Sequence, residues 1–180
     1  MKKNDKGNKY TFGRFCVILL LGEVFSKAVF FMGRTKEEIE AGARVFGGAA
    51  HVLGGVGQAV LEADDFKGKE KIAQNIIPSI VLKAFSCELF MKSLVLSGDI
   101  KKIHKLDELF NCLSDTDKSA IKEEVVSKMN ETIGQYVDSD FFVDLGKVAN
   151  AFVDWRYFYE DTRTININFL DILFDTLWSY

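Results

Sequence analysis

The chain has 180 residues, a length that favours a single domain and allows a sizeable core. Hydrophobic residues make up 48% and charged residues 27%, which argues against an intrinsically disordered chain. The net charge of −3 gives no global basic field of the kind that nucleic-acid-binding proteins use.

The first residues are rich in lysine, and an apolar helix is predicted from about Arg14 to Met32. This start resembles a signal peptide, but its uncharged run Phe15–Gly22 is short for a membrane span and Glu23 interrupts it. Glu23 and Lys27 also form a favourable i,i+4 helix pair. We therefore expect residues 1–35 to be an extension with a packed helix. The alternative is a membrane-associated helical protein.

The next helix is predicted from about Lys36 to Ala63, because Thr35 and Glu38 have the spacing of a capping box. Its part Val45–Leu61 has no formal charge and contains five glycines, each of which weakens an isolated helix by up to about 1 kcal/mol relative to alanine. Small residues permit another helix to approach closely at Ala43, Gly47, Ala50 and Gly54. We expect a tightly packed helix.

After a polar break at residues 64–70, Pro78 is expected in the first turn of a helix that continues to about Leu96. Four more helices are predicted: within residues 101–113, from Ser114 with Asp117 to about Val137, from N-caps at 138–140 through Glu160, and from about Asn166 to Trp178. The fold class is therefore all-α, an up-and-down bundle of four to five long helices over residues 36–180 with an extra N-terminal helix.

The cysteines, Cys16, Cys87 and Cys112, are odd in number and form no C-x-x-C pair. They predict neither a disulfide framework nor a zinc site, and a reducing cytosol is the natural compartment. Cys87 lies in an apolar segment and is predicted to be a small core residue. No metal cluster, nucleophile triad or phosphate-binding loop is visible, so we predict no metal and no cofactor.

An arginine lies within an aromatic run in the helix predicted from 138–140 to Glu160. The apolar residues recur at spacings of three and four as Phe141, Leu145, Val148, Phe152, Trp155 and Tyr159. Because successive helical residues are about 100° apart, Arg156 lies at the edge of this stripe. It is expected at the border of the buried face.

A carboxylate interrupts the apolar side of the helix that contains Pro78. Ser79, Lys83, Ser86 and Ser93 define one side of this helix, and Ile80, Val81, Ala84, Met91 and Val95 define the other. Glu88 falls within the apolar arc and Lys92 near its edge. Since an unpaired buried charge is costly, we predict that Arg156 binds Glu88 through two parallel hydrogen bonds. Alternatively, Glu88 pairs only with Lys92 or reaches solvent.

Three stretches in this order resemble the HEPN superfamily of helical domains: "SIVLKAFSCELFMKSLVLSG", "HKLDELF" and "ANAFVDWRYFYE". They supply a Glu-x-x-x-Lys helix at Glu88 and Lys92, a turn with His104, Leu106 and Leu109, and the aromatic helix with Arg156. The resemblance covers roughly residues 70–180. It implies a bundle of four to five helices that often dimerises, and many members are metal-independent ribonucleases of toxin–antitoxin or phage-defence systems.

The ribonuclease motif of that family is an arginine, four to six residues, then a histidine. After Arg156 the expected positions hold Asp161, Thr162 and Arg163, and after Arg163 they hold Asn168, Phe169 and Leu170. An aspartate with an ordinary pKa of about 3.9 is poorly matched to proton transfer at neutral pH. We therefore predict a non-catalytic domain that binds itself, a protein partner or RNA. The alternative is a divergent ribonuclease that uses Arg156, Glu160 and Asp161.

The two histidines of the chain lie elsewhere. His104 belongs to a basic loop in which Lys101, Lys102, His104 and Lys105 are candidate phosphate contacts, although a local structural role is favoured for His104. His51 is predicted to be a packing residue. A homodimer or a protein partner is expected, RNA is the second candidate ligand, and a membrane is disfavoured.

Overall fold

The structure, a computed structural model, describes residues 35–62, 68–95, 102–154 and 166–180. These residues form helices and connections without a β-strand, so the predicted all-α class is confirmed. The extension 1–34 lies outside the described residues. The helices are α1 (Lys36–Glu62), α2 (Gly68–Leu94), α3 (Leu106–Cys112), α4 (Asp115–Ile133), α5 (Asp138–Val148), α6 (Ala151–Asp154) and α7 (Ile167–Ser179).

Helix α2 is the central element, because it contacts α1, α3, α6 and α7. Its serine side and its apolar side, which the sequence distinguishes, are both buried. The serine side contains Ser79, Ser86 and Ser93, each at most 3% exposed, and the opposite side contains the fully buried Met91. Between Ser79 and Ser93 every side chain of α2 is buried or partly buried, so its few polar side chains there must find partners inside the protein.

Two of the three buried serines bind the backbone of α1, and the third, Ser93, donates to the carbonyl oxygen of Phe90 in α2 itself. Ser86 Oγ donates a hydrogen bond to the carbonyl oxygen of Ala43 at 2.8 Å, and Ser79 Oγ donates to that of Ala50 at 2.9 Å. The residue numbers run in opposite directions along the two helices, so α1 and α2 are antiparallel. These bonds satisfy hydroxyl groups that would otherwise be buried without a partner.

The small residues of α1 allow this close approach, as predicted. Ala43 and Ala50 are fully buried. A Cβ atom at Gly57 would lie 2.6 Å from Ile76 Cγ1, and one at Gly54 would lie 3.1 Å from Ser79 Oγ. Gly47 serves another contact, because its Cβ would lie 2.5 Å from Cζ3 of Trp178 in α7. Side chains at these positions would push α2 and α7 away from α1.

The prediction that Pro78 opens a helix is wrong. Helix α2 begins ten residues earlier, at Gly68, and Pro78 lies inside it. A proline there removes one backbone hydrogen bond and disfavours the helix. The flanking residues Ile76 and Ser79 both pack against glycines of α1. Tertiary packing on both sides of Pro78 therefore holds the helix together against the local preference.

The helix predicted from 138–140 through Glu160 is interrupted. Helix α5 ends at Val148, and the short helix α6 begins at Ala151. The carbonyl oxygen of Ala149 accepts a hydrogen bond from the N–H of Leu106, at 3.0 Å, so it binds the start of α3 rather than the next turn of its own helix. Of the predicted stripe, Phe141, Leu145 and Val148 are buried and Phe152 is partly buried, whereas Trp155 and Tyr159 lie outside the described residues.

Helix ends follow the capping signals of the sequence at three places. Thr35 and Glu38 exchange the two hydrogen bonds of a capping box. Ser114 accepts from the N–H of Asp117, and Asn166 accepts from the N–H of Phe169. Helix α4 ends at Ile133, earlier than predicted, because Gly134 follows with φ of 72°, which favours glycine.

No helix in the part of the chain that the structure describes is long and apolar enough to cross a membrane.

Two helical glycines test the close approach of α7 to α1. Gly47→Ala should lower the free energy of unfolding by about 1–3 kcal/mol, because the methyl group would clash with Trp178. Gly146→Ala in α5 is the control: no atom of the described structure lies within 4 Å of its Cβ, so it should raise stability by up to about 1 kcal/mol. Urea unfolding of both variants measures the difference, and equal effects would contradict this packing.

A buried carboxylate cluster as the candidate functional site

Glu88 lies in the centre of the bundle on α2 and is fully buried. One turn later, Lys92 is 6% exposed, and its Nζ atom donates to Glu88 Oε1 at 2.8 Å. Both charges are therefore removed from water together. The sequence correctly places Glu88 among apolar neighbours, and the predicted pairing with Lys92 is present.

A second contact reaches the same oxygen from another part of the chain. His104 Nδ1 lies 3.0 Å from Glu88 Oε1, although more than half of the His104 side chain is exposed. The loop that carries His104 is held in place immediately afterwards, where Leu106 is buried and its N–H binds Ala149. The carboxylate thus joins α2 to the entrance of α3.

The second carboxylate oxygen of Glu88, Oε2, is buried and has no hydrogen-bond partner among the described residues. A buried carboxylate oxygen without a donor costs free energy, so a donor is expected near it. The predicted donor, Arg156, lies outside the described residues, as do Glu160 and Asp161. The Glu88–Arg156 contact therefore stays a prediction.

The loop proposed to contact phosphate is partly engaged with acidic side chains. Lys101 lies outside the described residues, whereas Lys102 lies within them. Lys105 Nζ lies 3.0 Å from Glu108 Oε1, and this hydrogen bond raises the pKa of Lys105. His104 faces Glu88. A phosphate group at this loop would therefore compete with carboxylates that already hold two of the candidate residues.

A second buried carboxylate, Asp144 of α5, was not predicted from the sequence. Its Oδ2 atom accepts from the Tyr136 hydroxyl at 3.2 Å and from Asn166 Nδ2 at 2.7 Å, and its Oδ1 accepts from Lys147 Nζ at 2.9 Å. Burial and the adjacent Asp144 charge raise the pKa of Tyr136. Asp144 lies three residues after Phe141 on the apolar stripe, so the reasoning that identified Glu88 could have found it.

A further ion pair connects α2 to the last helix. Lys83 Nζ donates to Asp171 Oδ1 at 2.8 Å and lies 5.9 Å from the centre of the Phe174 ring. Cys87, one turn along α2, is fully buried, and burial followed by the nearby Asp171 charge raises the pKa of its thiol. The prediction of a small core residue is confirmed, and this thiol stays protonated at neutral pH.

His51 is a packing residue, although it lies at the surface. Its ring centre is 4.9 Å from that of Phe174 and 5.2 Å from that of Trp178. Both histidines of the chain thus contact other side chains of the fold. In the described ranges, no three His, Cys, Asp or Glu side chains come together in a way that could hold a metal ion.

Comparisons with protein-family models, with curated proteins and with solved structures find no match to this chain.

Removal of the central carboxylate tests whether the bundle depends on it. Glu88→Ala should cost about 3–5 kcal/mol of unfolding free energy, because Lys92 would stay buried without its partner. Glu88→Gln should cost less, since an amide oxygen can still accept from Lys92. Glu108→Ala, which breaks an exposed pair, is the control and should change stability by less than about 0.5 kcal/mol. Chemical denaturation measures both variants. If Glu88→Ala changes the free energy of unfolding as little as Glu108→Ala does, the Glu88 site is hydrated.

Alkaline pH tests the Tyr136–Asp144 contact. The pKa of Tyr136 is raised in the folded protein, so its contribution is complete below about pH 10, the ordinary tyrosine value, and is lost as the pH rises further. Tyr136→Phe should lower stability by about 1–2 kcal/mol at pH 8. The difference from the wild type should shrink at pH 11, because the wild type loses up to about 1.4 kcal/mol per pH unit.

The measurement is urea unfolding at both pH values. Tyr180→Phe is a useful control, because the Tyr180 hydroxyl donates to Asp117 at the surface and should matter less. A constant difference between wild type and Tyr136→Phe from pH 8 to pH 11 would contradict the assignment.

Proposed function

We propose that the chain is a HEPN-like helical domain that acts by binding a protein partner or a second copy, and that it does not cut RNA. The proposal starts from the order of three sequence features: the Glu88–Lys92 helix, the His104 turn and the aromatic helix with Arg156. The first two are supported by geometry, since Glu88 Oε1 contacts both Lys92 and His104. The third depends on residues outside the described ranges.

The observation that carries the non-catalytic part is the use of both imidazoles in structural contacts. His104 contacts the buried Glu88 carboxylate, and His51 packs between aromatic rings of α7. Acid–base work on a ribose hydroxyl requires a group that can reach the substrate and change protonation near neutral pH. Neither histidine follows Arg156 or Arg163 at the spacing of the family motif. His51 follows Arg44 after six residues, but its ring packs against Phe174 and Trp178, and Arg44 pairs with Glu40.

Charge and exposure favour a protein over RNA as the ligand. Cations spread along the described chain lie within ion-pair distance of carboxylates; they are Lys83, Lys92, Lys105, Lys118, Lys122, Lys128 and Lys147. Large apolar side chains are meanwhile exposed around the α4–α5 connection, at Ile133, Val137, Phe142 and Val143. Apolar side chains near the surface are typical of protein interfaces, whereas RNA binding requires cations that are free to meet phosphates.

An RNA assay tests the proposal. The purified full-length chain is incubated with single-stranded and with structured RNA, and cleavage is followed on gels beside Arg156→Ala and His104→Ala. We expect the wild-type chain to cleave RNA no more than either variant does. We also expect no salt-dependent binding of RNA at physiological ionic strength. Cleavage that disappears in Arg156→Ala would overturn the proposal and support the ribonuclease alternative with Arg156, Glu160 and Asp161.

The binding face can be tested with a matched pair of surface changes. Phe142→Glu places a charge on the exposed apolar side chain, whereas Ser127→Glu adds the same charge on the exposed side of α4. A partner, or a dimer seen by light scattering, should be retained by Ser127→Glu and lost with Phe142→Glu. Retention by both variants would exclude this face.

A further inference from the structure

Helix α1 has a second apolar face, opposite the one that packs on α2. We call it the α1 outer face, and its residues are Val45, Gly48, Val52, Gly55, Val56 and Ala59. They recur at spacings of three and four, so they lie within an arc of about 100° on one side of the helix. Val45 is 52%, Val52 67% and Val56 46% exposed.

This face is unusual for a helix that meets water. Exposed helix faces normally carry charged and polar side chains, but α1 has no charged residue between Arg44 and Glu62. A Cβ atom at Gly48 or Gly55 would meet no atom of the described structure within 4 Å, so the packing on α2 does not require these glycines. Each weakens the helix relative to alanine, which suggests that another element needs the space.

We propose that the chain's own segment Phe15–Gly22 covers the α1 outer face as one half of a helical hairpin. The capping box of Thr35 and Glu38 fixes the start of α1, so the preceding chain arrives at that end. Gly33 is the type of residue that ends a helix sharply. Two helices joined by two to five residues pack antiparallel. The inference is independent of the proposed function.

Counting along the hairpin places the apolar run beside the exposed face. If the turn centres on Arg34, Cys16 and Val52 are equally far from it, and the run Phe15–Gly22 lies beside residues 46–53. The run is large and uncharged, whereas the face is small and uncharged, so the two surfaces complement each other in size. A helix is allowed to approach closely there, as α2 does on the other side.

Charges agree with the same register. In this hairpin, Glu23 lies beside Val45, at the end of the α1 outer face and one residue from Arg44, and Lys27 lies beside residue 41, one residue from Glu40. A shift of one or two turns toward the C-terminal end of α1 would move Glu23 to the middle of the face, near Gly48 and Val52, and away from Arg44, which is unfavourable. The covalent connection also gives the segment a millimolar effective concentration, so it would outcompete a second copy at ordinary protein concentrations.

The experiment uses Cys16 as a built-in probe. Val52→Cys is introduced into the full-length chain with Cys112→Ser, which removes the exposed Cys112; Cys87 is buried. Mild oxidation should join Cys16 to the cysteine introduced at Val52 within one chain. The product is seen as a monomer with altered mobility on a non-reducing gel and is confirmed by mass spectrometry of the linked peptides. A disulfide requires the two Cα atoms to come within about 7 Å.

Position-matched controls test the register. Val45→Cys lies on the same face, about 10 Å further along the helix, and should not form a disulfide with Cys16. In chains with Cys16→Ser, maleimide should label a cysteine introduced at Val52 about ten-fold more slowly than one introduced at Val137, which is similarly exposed in the described structure. Equal labelling would overturn the proposal, whether the segment is free or inserted in a membrane. Disulfides between chains would also overturn it and assign the face to a second copy.

Discussion

The fold depends on a carboxylate in a place where carboxylates are costly. Glu88 is fully buried on the central helix, and its charge is tolerated because Lys92 and His104 approach the same oxygen. The ion pair with Lys92 lies within α2 and neutralises the buried charge, while His104 ties the entrance of α3 to α2. An apolar residue could fill the same volume, but it could not hold the His104 loop. We therefore regard Glu88 as the residue that sets the position of α3 relative to α2.

Local signals predicted much of this architecture. The capping residues Thr35, Ser114 and Asn166 begin helices as expected, because side-chain capping is a contact between near neighbours in sequence. The small residues of α1 likewise predicted a close approach of another helix, and the apolar environment of Glu88 predicted its burial. Each inference needed only the helical period and the chemistry of one segment. Which helices approach α1 could not be predicted from one segment alone.

The errors occurred where distant segments override local preference. Pro78 lies inside α2 because the residues before and after it, Ile76 and Ser79, both pack against α1 and support the helix. The sequence around Pro78 does not indicate this packing. The break after Val148 exists because the Ala149 carbonyl oxygen binds Leu106, more than forty residues earlier. The serine side of α2 can be buried because the hydroxyl groups of Ser79 and Ser86 reach the backbone of α1. Arg156 lies outside the described residues, so the sequence alone supports its predicted contact.

Asn166 shows how a neighbour can decide between residues that a local rule treats as equal. Asparagine, aspartate and serine are similarly good at a helix N-cap. Here the oxygen of the amide caps α7 while its nitrogen donates to Asp144, so the position needs an acceptor and a donor at once. Deamidation would exchange that nitrogen for oxygen and set two carboxylates against each other. A change of one atom, with the cap preserved, would thus set the start of α7 against α5.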